Sequence, residues 1–452
     1  MIAVIHDNLN AGGGSERLTI ATIEALNEMG FVVDVETYQQ PRIRDLEKDF
    51  GQLDISINQA KKLDLLSLLR LGKDIGEVDT YHYDLIINTH GDLLPYSSIT
   101  HNNDLRKTIM ITYCHYPLVP FYIRNGLYRR YLSKFLKVGE SCSSGHIITD
   151  TLISNAHLLY NKMMTNTIIL TNSEFSKRAI KLLYKNIEEP IVLSPPVDVE
   201  TFRRAALYSK EEERENTILV VSRFSPDKEV ENAIRIAKIL YEKKKIHYNM
   251  IIVGNIHNRD IEYLDFLRGM INGYGLKNYV KLEVGASFER LLHLMSKSKV
   301  YLHPLAGEPF GISVAEAMAA GLIPVVPHVG GNSEFVPQQY HYSSLEEAAE
   351  IIEDALLQHD FNNSGYHNNN IENNNNNIIT TTVLAASPKH EQRVNLSNLV
   401  MRFSTENYKK NFRKIIDCLL RRKEKEEIPL LKQQNSQKVK EARMTEGEQI
   451  SP

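Results

Sequence analysis

The chain has 452 residues, a length that predicts two or three domains. Apolar residues make up 42% and charged residues 24%, which is typical of a globular protein and excludes a fibrous or largely disordered one. The formal charge of −3 argues against a surface that is basic throughout and built for nucleic acid. Three cysteines without a C-x-x-C pair exclude a disulfide scaffold and a zinc ribbon and favour a reducing compartment.

The amino-terminal residues show neither a basic segment nor a 7–15-residue apolar segment, so they do not predict a secretory signal. The longest uncharged run near the middle, Thr108 to Ile123, is about 16 residues long, whereas a membrane-spanning helix needs about 20. We therefore expect a cytoplasmic protein that is soluble or at most peripheral to a membrane.

Residues 1–195 alternate short apolar runs with helical patterns, as parallel βαβ units do. The pattern breaks at the paired Pro195 and Pro196, which with the charged run from Lys210 to Glu215 resemble a linker, and it resumes up to about residue 360. The sequence therefore predicts an α/β protein with two tandem Rossmann-like, doubly wound domains. The predicted strands are Ile2 to His6, Phe31 to Val35, Leu85 to Asn88, Thr108 to Tyr113, Thr167 to Thr171, Thr217 to Ser222, Asn249 to Gly254, Val280 to Val284, Val300 to His303 and Ile323 to Pro327.

The last part of the chain changes character. Ten asparagines within 362–377 predict a disordered insertion over 361–395. A helix is expected within 396–425, and the charge-rich residues 426–452 are expected to be a disordered tail.

A glycine cluster, Gly12 to Gly14, lies between the first predicted strand and a helix. Glycines let a backbone approach an anion closely, and a helix amino terminus offers unpaired N–H groups. Arg17 stands where a dinucleotide fingerprint needs its third glycine, so a nicotinamide site is disfavoured. A tight turn without a ligand is the alternative.

Arg223 and Lys228 follow a predicted strand and precede a helix, which places both cations at the carboxyl edge of the second sheet. Two cations beside a helix amino terminus suit a diphosphate, because arginine can bind two oxygens at once. The alternative is an ordinary surface pair.

Two glutamates are spaced eight residues apart. Glu308 lies in the loop after a predicted strand, and Glu316 lies about two turns on, inside an alanine-rich helix. Carboxylates on one side could accept hydrogen bonds from two sets of sugar hydroxyls, and buried carboxylates without such partners are costly. The alternative is one exposed glutamate plus one glutamate at a helix start.

His115 directly follows the fourth predicted strand. At the carboxyl end of a strand it could hydrogen-bond a substrate or transfer a proton. A lone histidine can also be a structural residue. The turn that includes Gly330 and Gly331 also follows a predicted strand, and it is either part of a site or an ordinary turn.

In this order, the motifs Gly-Gly-Gly-x-Glu-Arg, Arg-x-x-x-x-Lys, Glu-x₇-Glu and Gly-Gly-x-x-Glu resemble the retaining nucleotide-sugar glycosyltransferases of the GT-B fold, group one or family four. The resemblance covers roughly residues 1–340 and the carboxyl-terminal helix. Tyr113 to Pro117 and the Pro-Pro-Val-Asp stretch resemble the mannosyltransferases that extend lipid-linked oligosaccharides.

The resemblance implies two domains facing across a cleft, with the last helix crossing back to the first domain. It also implies a role for each matching residue. Gly13 and Gly14 would lie against the donor phosphates and the acceptor, and His115 near the reacting sugar. The remaining implied contacts are the diphosphate at Arg223 and Lys228, sugar hydroxyls at Glu308, the same loop lined by Phe310, Gly311 and Ile312, and the ribose at Glu316.

The implied reaction transfers a hexose with retention and needs no cofactor or bound metal. Mannose from GDP-mannose is the favoured donor group, and a glycan or lipid-linked molecule is the acceptor. A sugar-nucleotide epimerase and a non-catalytic sugar-nucleotide-binding partner remain the alternatives. The basic aromatic segment Phe121 to Lys137 either contacts an anionic membrane surface or packs on its own domain.

Overall fold

A computed structural model describes residues 1–50, 53–62, 83–93, 108–120, 160–207, 214–243, 246–357 and 388–423. The segment 121–137, most of the asparagine-rich stretch and the tail 426–452 lie outside these residues. The chain divides into two units, each of which draws on more than one stretch of sequence. The first comprises Met1–Leu170, Lys181–Leu193 and Glu406–Pro452, and the second Thr171–Ile180 and Ser194–Thr405.

The first unit is built on a seven-stranded sheet in the order β3-β2-β1-β4-β5-β6-β7. Its strands are β1 (Ile2–Ile5), β2 (Val33–Thr37), β3 (Ile57–Lys62), β4 (Leu85–Asn88), β5 (Ile109–Cys114), β6 (Ile168–Thr171) and β7 (Ile191–Val192). Strand β1 pairs in parallel with β2 and β4, and the pairings of β2 with β3 and of β4 with β5 are also parallel. Three helices accompany it: α1 (Gly14–Glu28), α2 (Ile43–Phe50) and α3 (Glu174–Leu183), whose first residues belong to the second unit.

The core of the first unit forms because β1 and β4 are apolar on both faces, as central parallel strands are. Helix α1 contributes Leu18, Ile23 and Leu26, all fully buried. A helix over residues 405–423 closes this core, where Phe412 and Ile416 are buried. Its Tyr408 hydroxyl hydrogen-bonds Thr22 Oγ1 on α1 at 2.7 Å.

The second unit is built on a six-stranded sheet in the order β10-β9-β8-β11-β12-β13, with parallel neighbours. Its strands are β8 (Glu215–Val221), β9 (Asn249–Gly254), β10 (Val280–Val284), β11 (Ser298–Leu302), β12 (Ile323–Pro327) and β13 (His341–Tyr342). Its helices are α4 (Val199–Leu207), α5 (Val230–Lys243), α6 (Ile261–Gly273), α7 (Phe288–Lys297), α8 (Ile312–Ala319), α9 (Leu345–Leu357) and α10 (Pro388–Val400).

Two sequence-based expectations need correction here. Residues 388–395 are not disordered, because they begin α10, where Arg393 is buried and donates to the Gly321 carbonyl. The stretch after the paired prolines is not simply a linker, since it forms α4, whose Phe202 is fully buried. Among the described helices, none combines the length and apolar character that crossing a bilayer requires.

Candidate functional site

Each sheet has one point where its strand order reverses, between β1 and β4 in the first unit and between β8 and β11 in the second. In open α/β sheets, ligands bind beyond the carboxyl ends of the strands at such a point. The residues that follow these four strands are therefore the candidates for a functional site in each unit.

In the second unit, three chemically active side chains meet beyond β8 and β11. Lys228 Nζ lies 3.0 Å from Glu308 Oε2 and donates a hydrogen bond to it. His303 Nε2 lies 3.6 Å from the same oxygen, which is longer than a hydrogen bond. The Glu308 side chain is 16% exposed, so this carboxylate is largely removed from water.

The charge on Glu308 is stabilised by these neighbours. Burial alone would raise the pKa of its carboxyl, because a low dielectric disfavours the charged form. The positive charge of Lys228 and the adjacent His303 outweigh that effect and hold the pKa well below its usual range. Glu308 is therefore an acceptor of hydrogen bonds throughout the physiological pH range.

Backbone contacts fix the loop that carries Glu308. The Gly331 N–H donates to the Glu308 carbonyl at 2.7 Å. A Cβ on Gly331 would lie 2.0 Å from the Pro309 carbonyl oxygen, so only glycine allows the two segments to approach this closely. Gly311 has φ of 93° at the start of α8, a conformation that also favours glycine.

Arg223 lies on the β8–α5 loop with Lys228 and is 46% exposed. Its guanidinium is 3.4 Å from Asp227, an exposed pair of small energetic value. The side chain is thus accessible to a ligand, whereas Lys228 is 24% exposed and is held by Glu308.

Helix α8 begins directly after the Glu308 loop. Phe310 is buried against Phe335 and Phe403, and Ile312 is partly buried. Glu316 is 9% exposed and lies on the second turn of this helix. The loop and helix therefore bring together the predicted residues Glu308, Phe310, Gly311, Ile312 and Glu316.

The carboxyl end of α8 is fixed by buried donors. Arg214 donates to the Ala320 carbonyl at 2.6 Å and Ser397 Oγ to the Ala319 carbonyl at 3.0 Å. The buried Arg393 donates to the Gly321 carbonyl. Cations at the carboxyl end of a helix also complement its dipole, so the helix that carries Glu316 is held in place.

Glu334, whose role the sequence left open, accepts hydrogen bonds at the amino terminus of α3. Its two carboxylate oxygens accept from the Glu174 N–H at 3.0 Å and the Phe175 N–H at 2.6 Å. Ser173 Oγ accepts the Ser176 N–H at 3.0 Å and donates to the Pro309 carbonyl at 2.6 Å. Ser173 therefore supports the Glu308 loop from a segment distant in sequence.

In the first unit, the glycine loop is closed by an internal carboxylate. The Gly13 N–H donates to Glu16 Oε2 at 2.7 Å, and Ser15 Oγ donates to Glu16 Oε1 at 3.0 Å. A Cβ on Gly13 would lie 2.6 Å from Glu16 Oε2, so glycine allows the carboxylate to fold back over the turn. Gly13 is exposed and Gly14 is partly exposed.

His6, which directly follows β1, completes this network. Its Nε2 lies 3.2 Å from Glu16 Oε1, and since a carboxylate only accepts, Nε2 carries the proton. Its Nδ1 lies 3.0 Å from Thr19 Oγ1 and 3.1 Å from Thr89 Oγ1. Burial would raise the pKa of Glu16, but His6 lowers it below its usual value.

His115 lies beyond β5, beside the same network. Its Nε2 donates to the Thr89 carbonyl at 3.0 Å, and burial lowers its pKa to about 4. The imidazole is therefore neutral at pH 7. A neutral ring in this position can hydrogen-bond a substrate, but it supplies no positive charge.

A second buried carboxyl, Asp92, organises the loop after β5. It accepts the Leu118 N–H at 3.2 Å, the Val119 N–H at 3.1 Å and the Tyr184 hydroxyl at 2.8 Å. Burial raises the pKa of Asp92 to about 6, because these donors only partly offset the loss of water.

Among the described residues of the first unit, one group offers ligand atoms for a metal: His6, Asp7 and His90, whose atoms lie within 4.8 Å of one another. Asp7 Oδ1 is 3.1 Å from His90 Nδ1 and 3.6 Å from His6 Nε2. Three ligands are one fewer than a structural zinc site uses, and His6 Nε2 already donates to Glu16.

The structure thus brings the predicted residues into two groups. Lys228, Glu308 and the start of α8 form one, and Gly13, Gly14 and His115 belong to the other unit. Sequence reasoning missed the polar residues at strand ends that complete both groups. The signal that could have found them is their position directly after an apolar strand; they are His6, Asp7, Thr89, His90 and His303.

Comparisons with known proteins show which sequences this chain is similar to. Residues 205–372 match the family model "Glycosyl transferases group 1". The chain is 23% identical over 394 residues to the GDP-Man:Man(3)GlcNAc(2)-PP-Dol alpha-1,2-mannosyltransferase of Dictyostelium discoideum, covering 78% of this chain and 77% of that protein. The Mus musculus protein of the same name is 26% identical over 364 residues, covering 73% of each chain.

Solved structures show the same fold. Anabaena HepE, in complex with UDP and glucose, gives a TM-score of 0.60 at 17% identity, over 92% of this chain and 99% of that chain. Sucrose-phosphate synthase from Thermosynechococcus elongatus gives 0.60 at 16% identity, over 93% and 98%. The GT-B fold class and the group-one resemblance predicted from the sequence are confirmed.

Proposed function

We propose that this chain, a glycosyltransferase with a group 1 domain on a GT-B fold, transfers mannose from GDP-mannose to a glycan or lipid-linked acceptor, with retention and without a metal. The relatives' shared name, a GDP-mannose-dependent mannosyltransferase acting on a dolichol-linked oligosaccharide, supports the donor and the acceptor class. An acceptor of that kind fits a protein on the cytoplasmic face of a membrane.

The observation that carries the proposal is the contact between Lys228 and Glu308 at the strand-order reversal of the second sheet. An ammonium group has three donor hydrogens, so Lys228 can serve Glu308 and a phosphate oxygen together. A sugar diphosphate presents phosphate oxygens beside sugar hydroxyls, which is the combination that a paired cation and carboxylate recognise.

The same geometry suits the reaction. Bond breaking places negative charge on the departing diphosphate and positive charge on the sugar ring. Lys228 and the exposed Arg223 are fixed cations for the diphosphate, and such preorganised charges stabilise a transition state strongly. The ionised Glu308 orients hydroxyls of the sugar next to them. His115, in the first unit, is neutral at pH 7 and supplies no positive charge.

Thermal shift with GDP, UDP, ADP and their common sugar conjugates tests the donor site. Binding at a hundredfold excess over Kd stabilises the native state by about 2.7 kcal/mol. We expect GDP and GDP-mannose to raise the Tm selectively, and Arg223→Ala to reduce the shift. Arg268→Ala is the matched control, because Arg268 is also exposed and paired with a nearby aspartate.

Product analysis then tests the reaction. We expect free GDP and a mannosylated acceptor whose new bond has the α configuration. A hexose that is altered but still attached to the nucleotide would identify an epimerase. Binding of the donor without turnover, in the presence of a dolichol-linked or simpler glycan acceptor, would identify a non-catalytic binding partner. Activity lost on removal of divalent cations would contradict the metal-free reaction.

A further inference from the structure

His303 is a buried histidine whose ring makes no hydrogen bond with any residue that the structure describes. Its side chain is 6% exposed, and both Nδ1 and Nε2 are buried without a partner. Buried polar atoms are paired in the large majority of cases, so an unpaired group needs an explanation, such as a bound water or ligand.

The backbone of His303 is fixed by two hydrogen bonds, in contrast to its unpaired ring nitrogens. Its N–H donates to the Val325 carbonyl at 2.9 Å, and its carbonyl accepts the Tyr342 hydroxyl at 2.8 Å. The residue follows β11 at the strand-order reversal, and Nε2 faces Glu308 Oε2 at 3.6 Å. The ring is therefore directed at the carboxylate of the proposed donor site.

A second buried polar side chain on the adjoining loop is also unpaired. Asn332 is fully buried, and neither its amide nitrogen nor its amide oxygen has a partner within the described part of the chain. A Cβ built on Gly311 would lie 3.1 Å from Asn332 Cβ, so this residue packs against the start of α8. Unpaired groups on both loops indicate a polar occupant at this edge of the sheet.

The chemistry of the pair limits what that occupant is. Glu308 is ionised and only accepts hydrogen bonds, whereas an imidazole N–H donates. A hydroxyl can donate to the carboxylate and accept from the imidazole simultaneously. An ammonium group cannot accept, and an anion would be repelled by Glu308. The occupant is therefore a hydroxyl, either of a sugar or of a water molecule.

We propose that His303 is a specificity-determining residue that donates a hydrogen bond to one hydroxyl of the transferred sugar, while Glu308 accepts from the same hydroxyl. This inference rests on the proposed glycosyl transfer. It adds to that function a residue outside the recognised motifs that distinguishes sugars by the hydroxyl at one ring position.

Donor analogues that each lack one hydroxyl test the assignment. Transfer is measured from GDP-mannose and from its four monodeoxy analogues, at positions 2, 3, 4 and 6. We expect wild-type kcat/KM to fall by about 100-fold or more for one analogue, because a buried polar group then loses its partner. In His303→Ala, the penalty for the same analogue should shrink by about tenfold, because the imidazole no longer donates to that hydroxyl although Glu308 still accepts from it.

Two variants separate recognition from a structural effect. His303→Gln retains a side-chain N–H and should restore part of the discrimination at that position. His293→Asn removes an exposed histidine on α7 and should leave both activity and discrimination unchanged. The melting temperature of each variant reports on folding.

Two results would overturn the proposal. If His303→Ala lowered kcat/KM equally for the parent and all analogues, the ring would bind water or support the fold and would not read the sugar. If wild-type protein transferred sugar from no donor, the glycosyl transfer itself would fail, and the inference with it. These outcomes are distinguishable because only the first leaves wild-type activity intact.

Discussion

Glu16 is a buried carboxylate and Glu308 a largely buried one, each near a helix amino terminus and an imidazole, yet their surroundings differ. Glu16 accepts from the Gly13 N–H, Ser15 Oγ and His6 Nε2, all within the first unit. Glu308 has one hydrogen-bonded cation, Lys228, and an imidazole that is too distant to bond. A saturated carboxylate maintains its loop, whereas an unsaturated one retains capacity for a ligand.

This contrast has an energetic side. Burial would raise the pKa of both carboxyls, and a nearby basic group lowers both. For Glu16 the pKa is lowered by donors that all belong to the first unit, so these hydrogen bonds stabilise the fold. For Glu308 it comes mainly from Lys228, whose remaining hydrogens are suited to a second anion.

The largest effect is expected from Lys228→Ala. The change removes a cation from the proposed diphosphate site and leaves Glu308 without its hydrogen-bonded partner. We expect kcat to fall about 100-fold to 1000-fold, as for the loss of one preorganised donor. Steady-state transfer assays measure it, with Lys281→Ala as the control, since Lys281 is 67% exposed. A loss below tenfold would contradict the contrast between the two carboxylates.

Glu16→Gln should act on stability. Breaking the buried hydrogen bond with His6 and placing an amide against the Gly13 N–H should cost about 2 kcal/mol of unfolding free energy at pH 7. Urea denaturation measures this loss. Because the folded-state pKa of Glu16 is lowered, its contribution is complete above about pH 4.3 and is lost as the pH falls further. The difference from wild type should therefore narrow below that pH.

Asp92→Asn tests a carboxyl with the opposite shift. Its pKa is raised to about 6, so folding favours the protonated form. Its contribution to stability is complete below about pH 3.9 and is lost as the pH rises through 6, a change of up to about 3 kcal/mol. In the variant this part of the pH dependence should disappear. An unchanged slope between pH 4 and 6.5 would show that Asp92 does not titrate there.

The smallest effect is expected from Ser173→Ala. The substitution removes the cap on the Ser176 N–H and the hydrogen bond to Pro309, at a cost of about 1 kcal/mol. Thermal denaturation measures that cost. If Ser173 also positions the Glu308 loop, KM for the donor should rise while kcat changes less. Ser296→Ala is the control, because its hydroxyl donates to the His293 carbonyl within the same helix, α7.

Much of the fold could be predicted from periodicity alone. The predicted bounds of β9, β10 and β12 agree with the structure, since these apolar runs end at clear turn residues. Strand β3 was missed because its sequence, INQAKK, is mostly polar, as the outermost strand of a sheet can be. Helix α4 was missed because it begins close to the paired prolines.

The site could be predicted only in part, for a physical reason. Lys228 and Glu308 belong to motifs with recognisable spacing, but their contact joins segments 80 residues apart. His303 contributes through the order of strands in the sheet, which brings the ends of β8 and β11 together. Strand order follows from tertiary packing, so a single residue after a strand carries no such information by itself.

Each of the two units is assembled from more than one separate stretch of the sequence. The backbone passes from one to the other after Leu170, Ile180, Leu193 and Thr405, so neither unit is a continuous stretch. A fragment starting at Ser194 would lack Ser173, which donates to Pro309 in the Glu308 loop. A single cut in the chain therefore separates neither unit completely. Exchanging either unit with that of a relative would require replacing more than one separate segment of sequence at once.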